Sequence, residues 1–181
     1  MRIHITGAAG SGVTSLGAGL AGILRLRHID IDDFYWLPTE VPLTERRDPD
    51  ECRLRIGEAQ AGGRWVLSGS LMGWGEPLLD GVDAILFLTA PSPLRLDRLR
   101  LRERLRHGAL IAPGGPLHAR HETFLAWADR YDDPGFRGRS RATHEDWLAG
   151  QSAPVIRLDG SRDAPVVLSE ALAALAAPRV A

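Results

Sequence analysis

"HITGAAGSGVTSLG", residues His4 to Gly17, decides the fold. A short apolar run, Arg2 to Thr6, enters a glycine-rich turn, and a helix is predicted from Gly12 or Val13 to about Leu24. Strand, glycine turn and helix in that order aim successive backbone N–H groups at one point, where the helix N-terminus adds partial positive charge. Phosphate oxygens satisfy both. Gly7 and Gly12 hold the two glycine positions of G-x-x-x-x-G-K-[ST], and Thr14 holds its hydroxyl position, suited to ligating Mg²⁺. Gly10 adds backbone freedom, while Ser11 and Ser15 complete the nucleotide-binding set with hydroxyls. Val13 stands where the pattern has lysine, and all 22 Lys+Arg residues of the chain are arginine. Any side-chain cation that meets a phosphate here must be an arginine.

Outward from the loop, short apolar runs alternate with helical segments, which predicts parallel strands joined by crossover helices. Strands are expected near Arg27–Asp30, Trp65–Ser68, Ala84–Leu88 and Pro154–Leu158. In "DPDECRLRIGEAQAGG", Asp48 is the N-cap, Pro49 the first helical residue and Gly62 the stop. Further helices are expected in "SPLRLDRLRLRERLRHG", "PLHARHETFLAWADRY", "SRATHEDWLAG" and "DAPVVLSEALAALAA". Gly17, Gly19 and Gly22 each cost about 1 kcal/mol of helix propensity, a cost that close packing on the sheet would explain. "GAGLAG", Gly17 to Gly22, matches a dinucleotide fingerprint but lies inside the first helix and follows no strand.

A chain of 181 residues with 44% hydrophobic and 25% charged residues fits one soluble globular domain. The net charge of −1 gives no general attraction to nucleic acid or an anionic membrane, so anion binding must come from local clusters. One cysteine, Cys52, excludes an internal disulfide and fits a reducing compartment, and no apolar run reaches membrane-spanning length. With no signal-peptide layout at "MRIHITG", a cytoplasmic protein is expected. Two Pro/Gly-rich stretches, "IAPGGP" and "YDDPGFRGRS", bracket a helix outside the alternating pattern, which reads as a lid of about residues 107–141 within a domain of residues 1–181.

The segments "HITGAAGSG", "DIDDFYWLP", "WVLSGS", "APGG" and "RSRATHEDWL" resemble P-loop kinases of the adenylate, shikimate and gluconate kinase type. More closely, they resemble a bacterial adenylate kinase-like group whose loop also lacks the lysine. The resemblance spans nearly the whole chain. It implies a P-loop NTPase fold, α/β/α in three layers, with five parallel strands in the order 2-3-1-4-5 and a helical lid. It also implies ATP with Mg²⁺ and a small-molecule acceptor, while the acceptor's identity does not carry over with the fold.

Asp30, Asp32 and Asp33 end the second strand, at the carboxyl edge where open α/β sheets bind ligands. Kinase resemblance makes Asp32 the acceptor-side base and Asp30, with Thr14, the metal contact, against the alternative of a solvated acidic turn. Phe34, Tyr35 and Trp36 are equally readable as an acceptor platform or as core. Ser68 occupies a place where related kinases often have aspartate. Arg95, Arg98, Arg102 and Arg106 fall on one helical face. A solvated face is an equal reading for Arg95 and Arg100, whereas the resemblance sets Arg102 and Arg106 against phosphates and adenine. Arg137, Arg139 and Arg141 return at the far end of the lid, and Arg102 first, then Arg139, is expected to supply the charge missing at Val13. Asp159 and Gly160, in "LDGSRDAP", resemble an adenine-wrapping turn, with a plain turn as the competitor.

His118, His121 and His144 lack the H-E-x-x-H spacing and are expected at the surface or in the lid. Two other function classes stay open at this point. One is a nucleotide-binding switch or sensor with little catalysis, and the other is a dinucleotide-dependent oxidoreductase.

Overall fold

Alternation within single strands builds the two faces of the sheet. In the computed structural model, which describes residues 1–177, β1 (Arg2–Gly7) lies at the centre of a five-stranded sheet. The other strands are β2 (Arg27–Asp30), β3 (Trp65–Ser68), β4 (Ala84–Thr89) and β5 (Val155–Asp159), in the order β2-β3-β1-β4-β5. Every pairing is parallel, with Ile5 opposite Ser68 on one side and Leu86 on the other. This is the three-layer α/β/α architecture implied by the sequence resemblance.

Ile3, Ile5, Val66, Leu86 and Leu88 face α1 (Val13–Leu24) and α7 (Ala164–Ala176), burying Leu16, Leu20, Val167 and Ala171 among them. Ile29, Trp65 and Leu67 point to the opposite face and meet Ile56 and Ala59 of α3 (Pro49–Gln60). Ile85 and Phe87 join Leu148 of α6 (Arg141–Ala149) on that face. Buried on both sides, the strands are continuous apolar runs, as a parallel sheet requires. Asp48 caps α3 by accepting from the Asp50 and Glu51 amides, with Pro49 as the first helical residue.

Beyond the sheet's carboxyl edge, α4 (Ser92–His107) packs Leu96 and Leu99 on Leu125 and Ala128 of α5 (His118–Asp129). Two local expectations change. The second strand stops at Asp30, whose side chain caps a five-residue helix α2 (Ile31–Tyr35), so Asp32 and Asp33 lie on a helical turn. The side chain accepts from the Asp32 amide, and that bond favours the turn over continued strand. Close packing explains Gly17 and Gly19 but not Gly22: a Cβ at Gly17 would stand 2.5 Å from His28 Nε2 and one at Gly19 3.1 Å from Leu168, whereas nothing approaches Gly22.

Candidate functional site

Glycine geometry shapes the loop between β1 and α1. Gly10 and Gly12 adopt φ of 82° and 103°, in the region that side chains rarely enter, and a Cβ on Gly10 would collide with the Arg95 carbonyl at 2.5 Å. Ser11, 1% exposed, folds the turn by donating its hydroxyl to Ala8 O at 2.8 Å, while its amide reaches the same carbonyl. The first amides of α1 have no intrahelical partners, which leaves them for an anion. Val13 packs against the core cluster of Leu16, Leu20 and Leu88, so the lysine position serves the interior.

Thr14 and Ser15 are exposed at the head of α1. The Thr14 hydroxyl lies near enough to the Asp30 carboxylate to favour its charged form, which brings together the pair expected at a metal. Burial pushes the Asp30 carboxyl above the usual range and the Asp32 charge adds to this, while the Asp32 amide and Thr14 hydroxyl draw it back. Two oxygen donors so placed fit Mg²⁺, a hard cation. Ser68 has another partner: fully buried at the end of β3, its hydroxyl lies 2.9 Å from His28 Nε2, beneath α1.

Asp32 and Asp33 border an open cleft of about 300 Å³, lined further by Trp36, Leu37, Thr39, Leu43 and Arg47. Phe34 and Tyr35 pack against the Ile29–Ile56–Leu67 cluster, and Trp36 edges onto Tyr35 at 5.0 Å. The first two are therefore partly core, and Trp36 is a wall of the cleft. Arg47 is held by Phe34 O at 2.9 Å and Glu51 at 2.8 Å. From α5, Arg120 donates to the carbonyls of Leu43 and Thr44 at 2.7 and 3.2 Å, reaching across to the cleft's outer strap.

The arginines of α4 separate along its length. Arg95 is 0% exposed, which overturns the solvated-face reading for it. Its Nε donates to Ala90 O at 3.0 Å, its Nη1 to Ala128 O at 3.2 Å with a longer contact to Ala9 O at 3.4 Å, and its Nη2 pairs with Asp132 at 3.0 Å. Arg98 donates to Gly160 O at 2.7 Å and reaches Gly10 O at 3.4 Å. Arg100 is exposed and bonds Asp97, as a solvated residue does. Arg102 and Arg106 both turn to Glu103, at 2.9 and 3.4 Å. Gly160 itself abuts the loop, since a Cβ there would stand 2.4 Å from Ser11 O. Asp159 turns inward on its own loop, bonding the Ser161 amide and hydroxyl.

Arg139 stacks over Trp127, its charge centre 5.1 Å from the ring, and its Nε is buried without a partner. Burial lowers its affinity for the proton, and the Asp32, Tyr131 and Tyr35 groups around it restore some of that. Arg139 therefore shares a neighbourhood with Asp32, and Arg102 does not touch the loop. Arg137 is exposed, and Arg141 pairs with Asp132 at 2.8 Å.

His144 is 0% exposed, contrary to the surface position expected for it. Tyr131 OH and Thr6 Oγ1 bond its two ring nitrogens at 2.8 and 3.2 Å, which the neutral imidazole satisfies by accepting one bond and donating the other. Desolvation lowers its pKa to about 3, and that of His4, whose Nδ1 meets Leu67 O, to about 4. Tyr131, buried beside Arg95, is pushed up to about 12. A signal for His144 existed in the sequence: it lies four residues before the core residue Leu148, on the inward stripe of α6. Among the described residues no cluster of three or more metal-binding side chains occurs, and no helix is long and apolar enough to cross a membrane.

No family model matches the chain. In solved structures the architecture recurs in a gluconokinase from Sinorhizobium meliloti 1021, with TM-score 0.56 and 20% identity over 97% of this chain and 91% of that one. It recurs in a sugar kinase from Janibacter sp. HTCC2649, with TM-score 0.52 and 18% identity over 96% and 93%. A shikimate kinase from Aquifex aeolicus vf5 gives 0.50 and 18% over 97% and 96%. At these identities the likeness is one of fold. Sequence likeness is stronger to the uncharacterized protein YqaC of Bacillus subtilis (strain 168): 42% identity over 163 residues, 87% of this chain and 88% of that protein. Shared at that level along most of both lengths, this sequence places the chain in the family of Bacillus subtilis YqaC, and it belongs to that family.

Proposed function

We propose that the protein is a phosphotransferase that moves the γ-phosphate of ATP to a hydroxyl of a small-molecule acceptor. The observation that carries this is the nearness of Thr14 and Asp30 at the mouth of the glycine loop, two residues from Asp32 and its 300 Å³ cleft. Nucleotide phosphates lie on the amides of Gly10 and of Gly12 to Ser15, and Asp159 and Gly160 border the base. Thr14 and Asp30 would hold Mg²⁺, which supplies charge neutralisation of the phosphates when bound. Asp32 orients the acceptor hydroxyl and takes its proton as the new oxygen–phosphorus bond forms and the bond to the leaving ADP oxygen breaks. Residues 107–141 act as a lid that brings Arg139 to the transferring group, which Arg102 and Arg106 approach from the end of α4. The fold shared with gluconokinase, sugar kinase and shikimate kinase structures supports a small-molecule kinase.

A nucleotide-binding switch with little turnover is the second reading, favoured by Val13 packed against the core and by Ser68 bonded to His28. Thermal unfolding with and without MgATP tests the common ground. At 100-fold excess over Kd the folded state gains about 2.7 kcal/mol, and no shift at millimolar nucleotide rejects both readings. Asp32→Asn then separates them: ATP binding persists in each, and a parent phosphotransfer activity abolished by the variant selects the kinase.

A further inference from the structure

We propose that Arg98 supplies the positive charge that Val13 withholds from the loop. The inference rests on the nucleotide reading above and assigns that site's ground-state cation. The chain has no lysine, and the half-buried side chain at the lysine position packs against the core. Only guanidinium groups remain. Among the described residues two of them reach the loop's carbonyl groups, Arg95 at Ala9 and Arg98 at Gly10, from successive turns of α4.

Charge pairing distinguishes the two. Arg95 faces Asp132 and is bonded through all three of its nitrogens, so its charge is spent inside the protein. Arg102 and Arg106 share Glu103. Arg98 pairs with no carboxylate among the described residues and bonds only neutral carbonyls, both through Nη1. Its 2.7 Å bond to Gly160 O fixes the guanidinium where the β5–α7 turn meets the loop, the same place at which Gly160 abuts Ser11. An uncompensated, positioned cation beside orphan amides is what a polyphosphate needs and a neutral loop lacks. The helix places it from outside the loop, whereas a loop lysine would arrive from α1.

Calorimetric titration of MgATP, MgADP and AMP into the full chain tests the assignment, with unfolding temperatures recorded without nucleotide. Arg98→Met should weaken MgATP by about tenfold to a hundredfold, MgADP less, and AMP by under about threefold. Arg98→Lys should regain part of the loss, and Arg100→Met, in the Asp97 pair, should stay within about twofold of the parent. Adding Val13→Lys to Arg98→Met should recover at least about fivefold, because a lysine stem can lie on the core with its ammonium at the loop. An Arg98→Met protein that melts like the parent and binds MgATP within twofold of it overturns the proposal alone. A parent that binds no nucleotide overturns it together with the nucleotide reading. Should Arg98→Met fail to fold, Val13→Lys in the parent decides: under about threefold tightening supports Arg98 as the cation already present, and over about tenfold overturns it.

Discussion

The two halves of α4 each carry an arginine pair at helical spacing, i,i+3 for Arg95 and Arg98 and i,i+4 for Arg102 and Arg106, and do opposite things with it. In the first half, Arg95 and Arg98 aim inward and bond backbone carbonyls of the glycine loop, the β4 end, α5 and the β5–α7 turn. In the second half, Arg102 and Arg106 sit at the surface and converge on the buried carboxylate of Glu103. What sets them apart is the company, since either spacing puts both side chains of a pair on one face. The first half lies under the sheet's carboxyl edge, where carbonyls need donors. The second projects beyond it, where water competes and a local carboxylate is the best partner. A basic helix stripe can thus be structural glue at one end and a displaceable charge reserve at the other.

Stability measurements break this comparison most directly. Arg95→Met should cost about 3 kcal/mol, at the lower end for breaking a buried pair because Asp132 keeps Arg141. Carbonyls of Ala90 and Ala128 would lose their donor as well. Arg102→Met should change stability by less than about 0.5 kcal/mol, its side chain being 44% exposed. Urea unfolding of both variants gives the contrast, and equal midpoints would dissolve the distinction between the halves.

The inner half continues into the Tyr131–His144–Thr6 chain, since the Tyr131 ring lies 5.0 Å from the Arg95 charge centre. Both His144 and His4 titrate in the folded state far below their unfolded value of 6.5. As pH falls, the unfolded chain binds protons first, so stability is full above the unfolded pKa and is lost on acidification. The loss begins near 6.5 and continues down to the folded values of about 4 and about 3. Between about pH 7.5 and about pH 5 each histidine should remove about 2 kcal/mol. His144→Gln should erase roughly half of that slope in a pH series of urea unfolding, beyond any constant offset from altered packing. An unchanged slope would show that His144 is not the buried neutral base described here.

Such differences mark the limit of what the sequence discloses. Strand positions, the β1–loop–α1 unit and the caps of α3 are local patterns, and they were legible to within a residue: β2 and β3 fall on the expected spans and β5 shifts by one, to Val155–Asp159. Val13 at the lysine position was equally plain, because it needs only the motif. Arg95 was opaque because its partners, Ala9, Ala128 and Asp132, are distant in sequence and two of them are backbone carbonyls without side-chain identity. His144 was misplaced for a related reason: a histidine on an apolar stripe is buried only when a hydroxyl such as Thr6 waits on the facing strand. The cleft beside Asp32 depends on how the 37–47 strap folds over α2, where Leu43 takes a positive φ of 61° that no motif announces.

Glu103 offers the finest test, because it alone decides what the outer arginines do before any ligand arrives. At 9% exposure it holds Arg102, Arg106 and His107 at once, so Glu103→Gln would release positive charge at the end of α4 without moving Arg98. If Arg98 already provides the ground-state cation, the released charges add only a long-range, salt-sensitive attraction. MgATP should then bind less than about threefold tighter at low salt, with the gain fading as ionic strength shortens the Debye length toward about 8 Å. If the outer arginines were the loop's own partners, freeing them would tighten MgATP by about tenfold or more, because charge-assisted bonds to phosphate would no longer compete with Glu103. Calorimetric titrations of parent and variant at two salt concentrations separate these cases. A large, salt-resistant gain would move the role assigned to Arg98 onto the second half of the helix, whereas the small screened one keeps the two halves distinct.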